Sequence, residues 1–304
     1  MSNQPSGPDQ PSVPILYLNG RLVPADRAYV PALDHGLLFG HGLFETMRAY
    51  QGKVFRLDDH LARLLHAAEE LGISLSGEWD TLERAIHATL EANHLRDARV
   101  RLTVTAGPGP GTPIFPNTGQ PTILISVTPL SQEIAARTAL GYTAVIAPRL
   151  RSSQAALVHL KSTSYLENLL ARAEAVRSGA DEALLLNDHR CIAEGAMSNV
   201  FFVIAGKLRT PSPDCGLLRG ITRQVVMDLA QALSIDVEAG CLVLEDTMQA
   251  SEAFLTSSVL EVMPLIGVDG KPVGAGRPGE VTRLLATAYA QVVTRELGLS
   301  VSTV

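Results

Sequence analysis

The sequence predicts a two-domain protein of the α+β class, and three observations lead there. At 304 residues the chain suits two domains of roughly 100–200 residues each. Its apparent strands occur mostly as hairpins and seldom as β-α-β units, which separates α+β from a doubly wound fold. The element pattern also changes after about residue 129, which puts a boundary between 130 and 150. The expected organisation is a tail at 1–12, a smaller domain at 13–130, a linker region at 131–150 and a larger domain at 151–304.

Taken in order, ILYLNGRLVP (15–24) sets Asn19-Gly20 between two apolar stretches, a strong hairpin signal. GLFETMRAY and KVFRL flank Gln51-Gly52 and read as a second antiparallel pair. Asp58-Asp59 open a segment with Leu61, Leu64, Leu65 and Leu71 at helical spacing, closed by Gly72. Residues 80–93 read as another helix, while β-branched residues make 98–107 and 121–128 strands. GPGPGTP (107–113) holds too much Gly and Pro for a regular element and is read as a loop. The second half predicts a helix over 162–178, a hairpin from EALLLN into RCIAEG and a strand pair in SNVFFVIAGKLRTP. A helix from about 221, a strand at EAFLTSS and a last helix near 278–297 complete it.

With 46% hydrophobic and 18% charged residues the chain has material for substantial cores, and disorder over most of its length is excluded. A net charge of −6 without a long basic run disfavours binding to nucleic acid or an anionic membrane. Any anionic ligand must then be met by a few placed basic residues. No apolar run reaches the roughly 18 residues that span a bilayer, and MSNQPSGPDQPS is read as a tail, not a signal peptide. Cys191, Cys215 and Cys241 are odd in number and far apart, so no disulfide framework is expected, and a cytoplasmic setting fits.

A few residues carry the chemistry. Lys161, in HLKSTSYLENLLARAEA, is read at a helix start with Leu160 and Leu166 to desolvate its amine, as a Schiff-base lysine requires; an exposed helical lysine is the ordinary alternative. Glu194, in IAEGAMSNVFFV, lies between two strands, where a turn acid is equally at home. In LLRGITRQVV the chain passes from Gly220 into a helix through Ile221 and Thr222, an anion site or a plain cap. Thr256, Ser257 and Ser258 end a strand and add hydroxyls. Arg63 is either a surface cation or a guanidinium for a phosphate dianion. Together these are the parts of a pyridoxal phosphate site: a lysine for the aldehyde, an acid for the ring nitrogen, an arginine and turns for the phosphate.

The set resembles the class IV aminotransferases, the fold-type-IV pyridoxal phosphate enzymes. That family includes branched-chain and D-amino-acid aminotransferases, (R)-selective amine transaminases and aminodeoxychorismate lyases. DHGLLFGHGLFETMRAY, VFRLDDHLARL, HLKSTSYLENLLA, IAEGAMSNVFF, LLRGITR and the TSS strand end occur in family order across nearly the whole chain. The resemblance implies a small N-terminal α+β domain, and a larger C-terminal domain that has a barrel-like sheet and binds pyridoxal 5′-phosphate. It makes Lys161 the Schiff-base lysine and proton carrier and turns Glu194 to the pyridine nitrogen. Arg63, Ile221, Thr222, Ser257 and Ser258 would hold the phosphate, and Tyr165 the phenolic oxygen. Tyr165 lies one residue nearer the lysine than in the branched-chain subgroup. A homodimer is also implied.

For the substrate, Arg99 and Arg101 face one side of a strand and suit a carboxylate, or else are solvated. Arg48 and Arg101 match arginines near the substrate carboxylate of branched-chain enzymes, and Phe39 and Phe44 match pocket aromatics. The expected reaction moves an amino group between an apolar amino acid and a 2-oxo acid. Thr46, in FETMR, replaces the glycine of that subgroup's FEGIR, and GPGPGTPIF lacks the Arg-x-His of the D-amino-acid enzymes. Aminodeoxychorismate lyase, which eliminates pyruvate, is the main alternative, with a D-amino-acid or (R)-amine transaminase behind it. A non-catalytic dimeric binding protein and a metal site from His35, His41 and His60 are the readings outside this class; the histidine spacing matches no zinc pattern, so no metal is expected.

Overall fold

The computed structural model describes residues 11–75, 77–116 and 119–299; most of the expected tail, 1–10, lies outside the described residues. The chain forms two compact units, one from the residues up to Leu130 with Lys161–Ser164, the other from Ser131–Leu160 and Tyr165 onward.

The first unit contains β1 (Ile15–Leu18), β2 (Arg21–Pro24), α1 (His35–Phe39), β3 (Gly42–Tyr50), β4 (Lys53–Val54), α2 (Leu57–Glu70), α3 (Trp79–Ala92), β5 (Ala98–Thr105) and β6 (Thr122–Pro129). The strands make one sheet in the order β2-β1-β6-β5-β3-β4, antiparallel throughout. Asn19 and Gly20 turn the β1–β2 hairpin at φ 47° and 89°, and Gln51 and Gly52 turn β3–β4 at 51° and 86°, as tight hairpins require. Along β3, Leu43, Glu45, Met47 and Ala49 point into the unit and Phe44, Thr46 and Arg48 to the other face, the period-two alternation of a strand. Leu61 and Leu64 of α2 and Leu82 and Ile86 of α3 cover the inner face, where Val100, Leu102 and Val104 are fully buried.

The short helix α1 was not expected. Fully buried Asp34 caps it, accepting from Gly36 N at 2.8 Å, and the same carboxylate accepts from Thr105 Oγ1 (2.9 Å) and Thr122 Oγ1 (2.6 Å). Gly36 must lack a side chain, since a Cβ there would lie 2.2 Å from Thr105 Cγ2.

The second unit contains α4 (Glu133–Leu140), β7 (Tyr142–Arg151), α5 (Leu166–Arg177), β8 (Glu182–Asn187), β9 (Ile192–Gly195), β10 (Asn199–Ile204), β11 (Lys207–Pro211), α6 (Ile221–Ala232), β12 (Val237–Gly240), α7 (Leu244–Gln249), β13 (Glu252–Ser257), β14 (Glu261–Val268), β15 (Lys271–Pro272) and α8 (Glu280–Leu297). Its nine-stranded sheet runs β12-β11-β10-β13-β14-β7-β8-β9, with β15 beside β14. The sheet curls until its two ends meet. β9 packs on β10 and β11, and Ile192 N, at the head of β9, donates to Leu242 O, just past β12, at 2.7 Å. The inside is apolar, with Leu184, Ile192, Val200, Phe202, Leu242, Leu255 and Met263 in one cluster. Outside, α5 lies on β7 and β8, and α6 and α8 on β13. This is the barrel-like sheet of the expected fold.

Three local expectations need correction. Residues 131–150, expected to link, form α4 and most of β7. The helix expected from 162 begins at Leu166, because β4 pairs only with Ala49 and Tyr50 and leaves the start of β3 open to residues 161–163. There Phe44 N donates to Lys161 O and Thr163 N to Gly42 O, both at 2.8 Å. Finally, Cys191 and Cys241 form a disulfide across a sequence separation of 50, Cα atoms 5.4 Å apart, while Cys215 is buried and reduced. Wide spacing argued against pairing, but the closure of the sheet brings these two positions together.

Asp34→Ala is expected to cost about 2–4 kcal/mol in urea unfolding, because it removes a helix cap and the acceptor of two hydroxyls, those of buried Thr122 and half-buried Thr105. A loss below about 1 kcal/mol would contradict this role for the carboxylate.

Candidate active site

In the first unit, the hydrogen bonds that hold residues 161–163 on β3 place Lys161 beside Phe44, its Nζ 4.7 Å from the ring centroid. The Arg101 guanidinium lies over the same ring at 3.8 Å. A buried aromatic thus has an amine and a guanidinium beside it, a cation–π arrangement that keeps both near an apolar surface. Leu166, the expected desolvating neighbour, is 66% exposed. Arg101 stands opposite Thr46, and Arg48 opposite Arg99, on the face of the sheet that carries Phe44. Arg48 rests over Tyr50 at 4.7 Å and Arg99 is exposed. Phe39 lies at the end of α1, edge-on to His35.

On the inner side of β3, Glu45 is 1% exposed and accepts three hydrogen bonds. Arg63 Nε reaches Oε1 at 2.8 Å, and Arg63 Nη2 and His60 Nδ1 reach Oε2 at 2.6 and 2.7 Å. Burial by itself would raise the carboxyl pKa, but Arg63 and His60 together outweigh it and hold it at about 2. Burial pushes His60 below its usual range against the pull of Glu45, with Lys161 acting in the same direction as burial. His60 therefore donates from Nδ1–H to the carboxylate, and Arg63, on α2, is clamped along one edge of its guanidinium.

In the second unit, Glu194 lies on β9 and is 7% exposed. Arg151 Nη1, from the end of β7, donates to Oε1 at 2.6 Å, and Asn199 Nδ2 and Leu218 N donate to Oε2 at 3.2 and 3.1 Å. Arg151 is 4% exposed and also donates to Glu167 Oε2 (3.0 Å) and Asn168 Oδ1 (3.1 Å). Asn168 Nδ2 and Tyr165 OH both donate to Ala196 O, at 2.8 and 3.0 Å.

Asn199 connects this carboxylate to the first turn of α6. Its Nδ2 also donates to Leu218 O at 2.9 Å, and its Oδ1 fills the space where a Gly220 Cβ would stand, 2.0 Å away. Gly220 enters α6 at φ −68° with no side-chain cap, so the first amides of the helix, at Ile221 and buried Thr222, keep the positive end of its dipole. On β13, which packs against α6, the hydroxyl of buried Thr256 has no hydrogen-bond partner, and Ser257 Oγ accepts from Leu260 N at 3.1 Å. A helix start without a side-chain cap and an orphaned hydroxyl fit a phosphate ester. A carboxylate fixed by three donors fits a pyridinium.

Residue-by-residue reading missed Glu45, Arg151 and Asn199, and weighed His60 only as a metal ligand, whereas it donates to Glu45. Glu45 had a signal, since a charged residue in the buried phase of a strand demands a partner. His35 is buried with Nε2 on Pro110 O at 2.9 Å, and His41 Nε2 meets Leu71 O at 2.8 Å. Among the described residues, no group of three or more His, Cys, Asp and Glu side chains is placed to hold a metal ion.

A two-unit chain whose second unit is a curled sheet carrying a buried acid beside an uncapped helix start has the architecture of a known enzyme class, and comparison with known proteins gives the family. Residues 42–267 match the family described as Amino-transferase class IV, and the chain belongs to it. A putative branched-chain-amino-acid aminotransferase of Methanocaldococcus jannaschii is 35% identical over 280 residues, 92% of this chain and 96% of that one. The aminodeoxychorismate lyase of Bacillus subtilis is 32% identical over 281 residues, 92% and 94% of the two chains. Among solved structures, the branched-chain amino acid aminotransferase of Escherichia coli superposes with a TM-score of 0.88 at 28% identity, covering 96% of this chain and 97% of that one.

The depressed pKa of Glu45 gives a pH test. A folded pKa of about 2 against 4.5 supplies stability that is present above the unfolded value and lost as pH falls through the folded one. Glu45→Gln is expected to unfold more easily than wild type at pH 6, the gap narrowing by about 3 kcal/mol between pH 6 and pH 2. A gap independent of pH would rule out an ionised Glu45.

Proposed function

We propose that the protein transfers an amino group between an apolar, branched-chain-like amino acid and a 2-oxo acid, using pyridoxal 5′-phosphate. The observation that carries this reading is the Phe44 ring flanked by Lys161 and Arg101. It offers an apolar surface for a side chain and a guanidinium for a carboxylate next to the reactive amine. The 2-oxo acid acceptor uses the same groups. Similarity to the Bacillus subtilis lyase favours, as a second reading, elimination of pyruvate from aminodeoxychorismate.

When bound, the cofactor supplies an aldehyde for the amine and a ring that accepts electrons. The chain's own residues hold and prime it. Glu194, fixed by Arg151, Asn199 and Leu218 N, keeps a proton at the pyridine nitrogen. The first amides of α6, Thr222, Ser257 and Ser258 take the phosphate oxygens, with Arg63 held in position by Glu45. The orphaned hydroxyl of Thr256 joins this set. Lys161 Nζ anchors the aldehyde carbon and then carries the proton that leaves or returns to the substrate Cα. Tyr165 serves the phenolic oxygen once its hydroxyl turns from Ala196 O, a carbonyl that Asn168 also satisfies. Arg48, Arg99 and Phe39 complete the substrate side.

Large apolar side chains support a homodimer. Tyr29, Leu33, Leu37 and Phe115 in the first unit are 78%, 52%, 68% and 68% exposed, and Leu166, Leu169 and Val176 on α5 are 66%, 51% and 64% exposed. None of the described helices is long and apolar enough to cross a membrane. We propose a cytoplasmic setting, in which the Cys191–Cys241 disulfide stands against the usual reduced state of thiols.

Wild type with added pyridoxal phosphate is expected to show an absorption band near about 420 nm that L-leucine bleaches in a single turnover faster than D-alanine or (R)-1-phenylethylamine. Lys161→Ala should keep phosphate-dependent affinity but lose turnover by about three or more powers of ten. Release of pyruvate from aminodeoxychorismate with no bleaching by the amines would instead establish the lyase, and turnover retained in Lys161→Ala would remove that residue from its role.

A further inference from the structure

We propose that the Cys191–Cys241 disulfide is a thiol–disulfide exchange site that opens and closes the seam of the nine-stranded sheet. Cys191 immediately precedes β9 and Cys241 immediately follows β12, the strands at the two ends of the sheet. Among the described residues, one backbone hydrogen bond joins these two segments directly, from Ile192 N to Leu242 O at 2.7 Å. The disulfide stands beside it as a covalent staple. Both neighbours belong to the apolar interior, Ile192 and Leu242 being fully buried, so the staple also keeps the inside of the sheet shut.

The two sulfurs differ in access. Cys241 is exposed, whereas Cys191 is 7% exposed. An incoming thiolate therefore attacks Sγ of Cys241, the S–S bond breaks, and Cys191 leaves as a thiolate next to Arg190 in the chain, a cation that favours this leaving group. With a dithiol reductant, the second thiol of the reductant then releases Cys241. One dithiol becomes a disulfide, two electrons and two protons pass to the protein, and Cys191 and Cys241 become thiols. In a cytoplasmic protein a disulfide stands against a reducing thiol pool, where exchange is the common use.

The seam connects to the buried acid by two routes. Along β9, Glu194 is the third residue after Cys191. Across the fold, Asn187 accepts from Cys191 N at 2.9 Å and donates through Nδ2 to Cys215 O at 3.2 Å, and this segment continues to Leu218, whose N–H holds Glu194 at 3.1 Å. Reduction frees the head of β9 and loosens both routes. The consequence for the cofactor rests on Glu194 serving the pyridine nitrogen, while the exchange site itself does not.

The test uses the full-length protein, oxidised or treated with dithiothreitol. Under denaturing conditions without reductant one of the three cysteines should react with a thiol reagent, and all three after reduction. Reduction should lower Tm by about 5–10 °C, speed amide exchange at Ile192 about tenfold or more, and weaken pyridoxal phosphate binding about tenfold. Reoxidation should restore all three, and Cys241→Ser should match the reduced protein under either condition. Three reactive cysteines before reduction, or Ile192 exchange and cofactor affinity both unchanged within about twofold, would overturn the proposal. An oxidised protein that binds no pyridoxal phosphate overturns the cofactor reading alone, and Ile192 exchange then decides the seam.

Discussion

An ionised carboxylate almost out of reach of water must be compensated by a nearby cation and by hydrogen bonds, or it does not persist in that form. Glu194 meets this requirement through Arg151, a side chain as deeply buried as itself, with Asn199 and the Leu218 amide on its second oxygen. Much of the second unit is arranged around that need. β7 ends where its arginine faces β9, Asn168 and Glu167 on α5 accept from the other two nitrogens of Arg151, and Asn199 ties the acid to the start of α6. The acid that we propose for the ring nitrogen and the helix start that we propose for the phosphate are parts of one hydrogen-bonded construction.

The first unit solves the same problem in the opposite sense. There the group to be aimed is a cation, Arg63, and the buried carboxylate of Glu45 holds it while His60 donates to Oε2. Placing Glu45 inside β3 and Phe44 outside it uses the strand's alternation to separate two tasks, aiming a guanidinium on one face and lining the Lys161 amine on the other. Removing either partner of such a pair strands a buried charge, so the site contributes to stability and to chemistry through the same residues.

What the sequence made legible was local or repetitive. Asn19-Gly20 and Gln51-Gly52 announce their turns because only a few residues tolerate positive φ, and the leucines of α2 announce its buried face. Lys161, Glu194 and Gly220-Ile221-Thr222 could be singled out by their place at element ends. Contacts between distant segments could not be read. Arg151 lies 43 positions from Glu194, and nothing near either residue marks the other. Cys191 and Cys241 pair only because the sheet closes on itself, a property of topology and not of spacing. The helix drawn from 162 failed for a similar reason, since the open edge of β3 takes residues 161–163 into extended form before the helix begins.

In the proposed site Glu194, held by Arg151, keeps the cofactor's ring nitrogen protonated. The most direct test is the 15N resonance of pyridoxal phosphate labelled at that nitrogen and bound to wild type and to Glu194→Gln. A protonated nitrogen is expected in wild type and an unprotonated one in the variant. An unprotonated nitrogen in wild type, or the same protonation in both proteins, would contradict it.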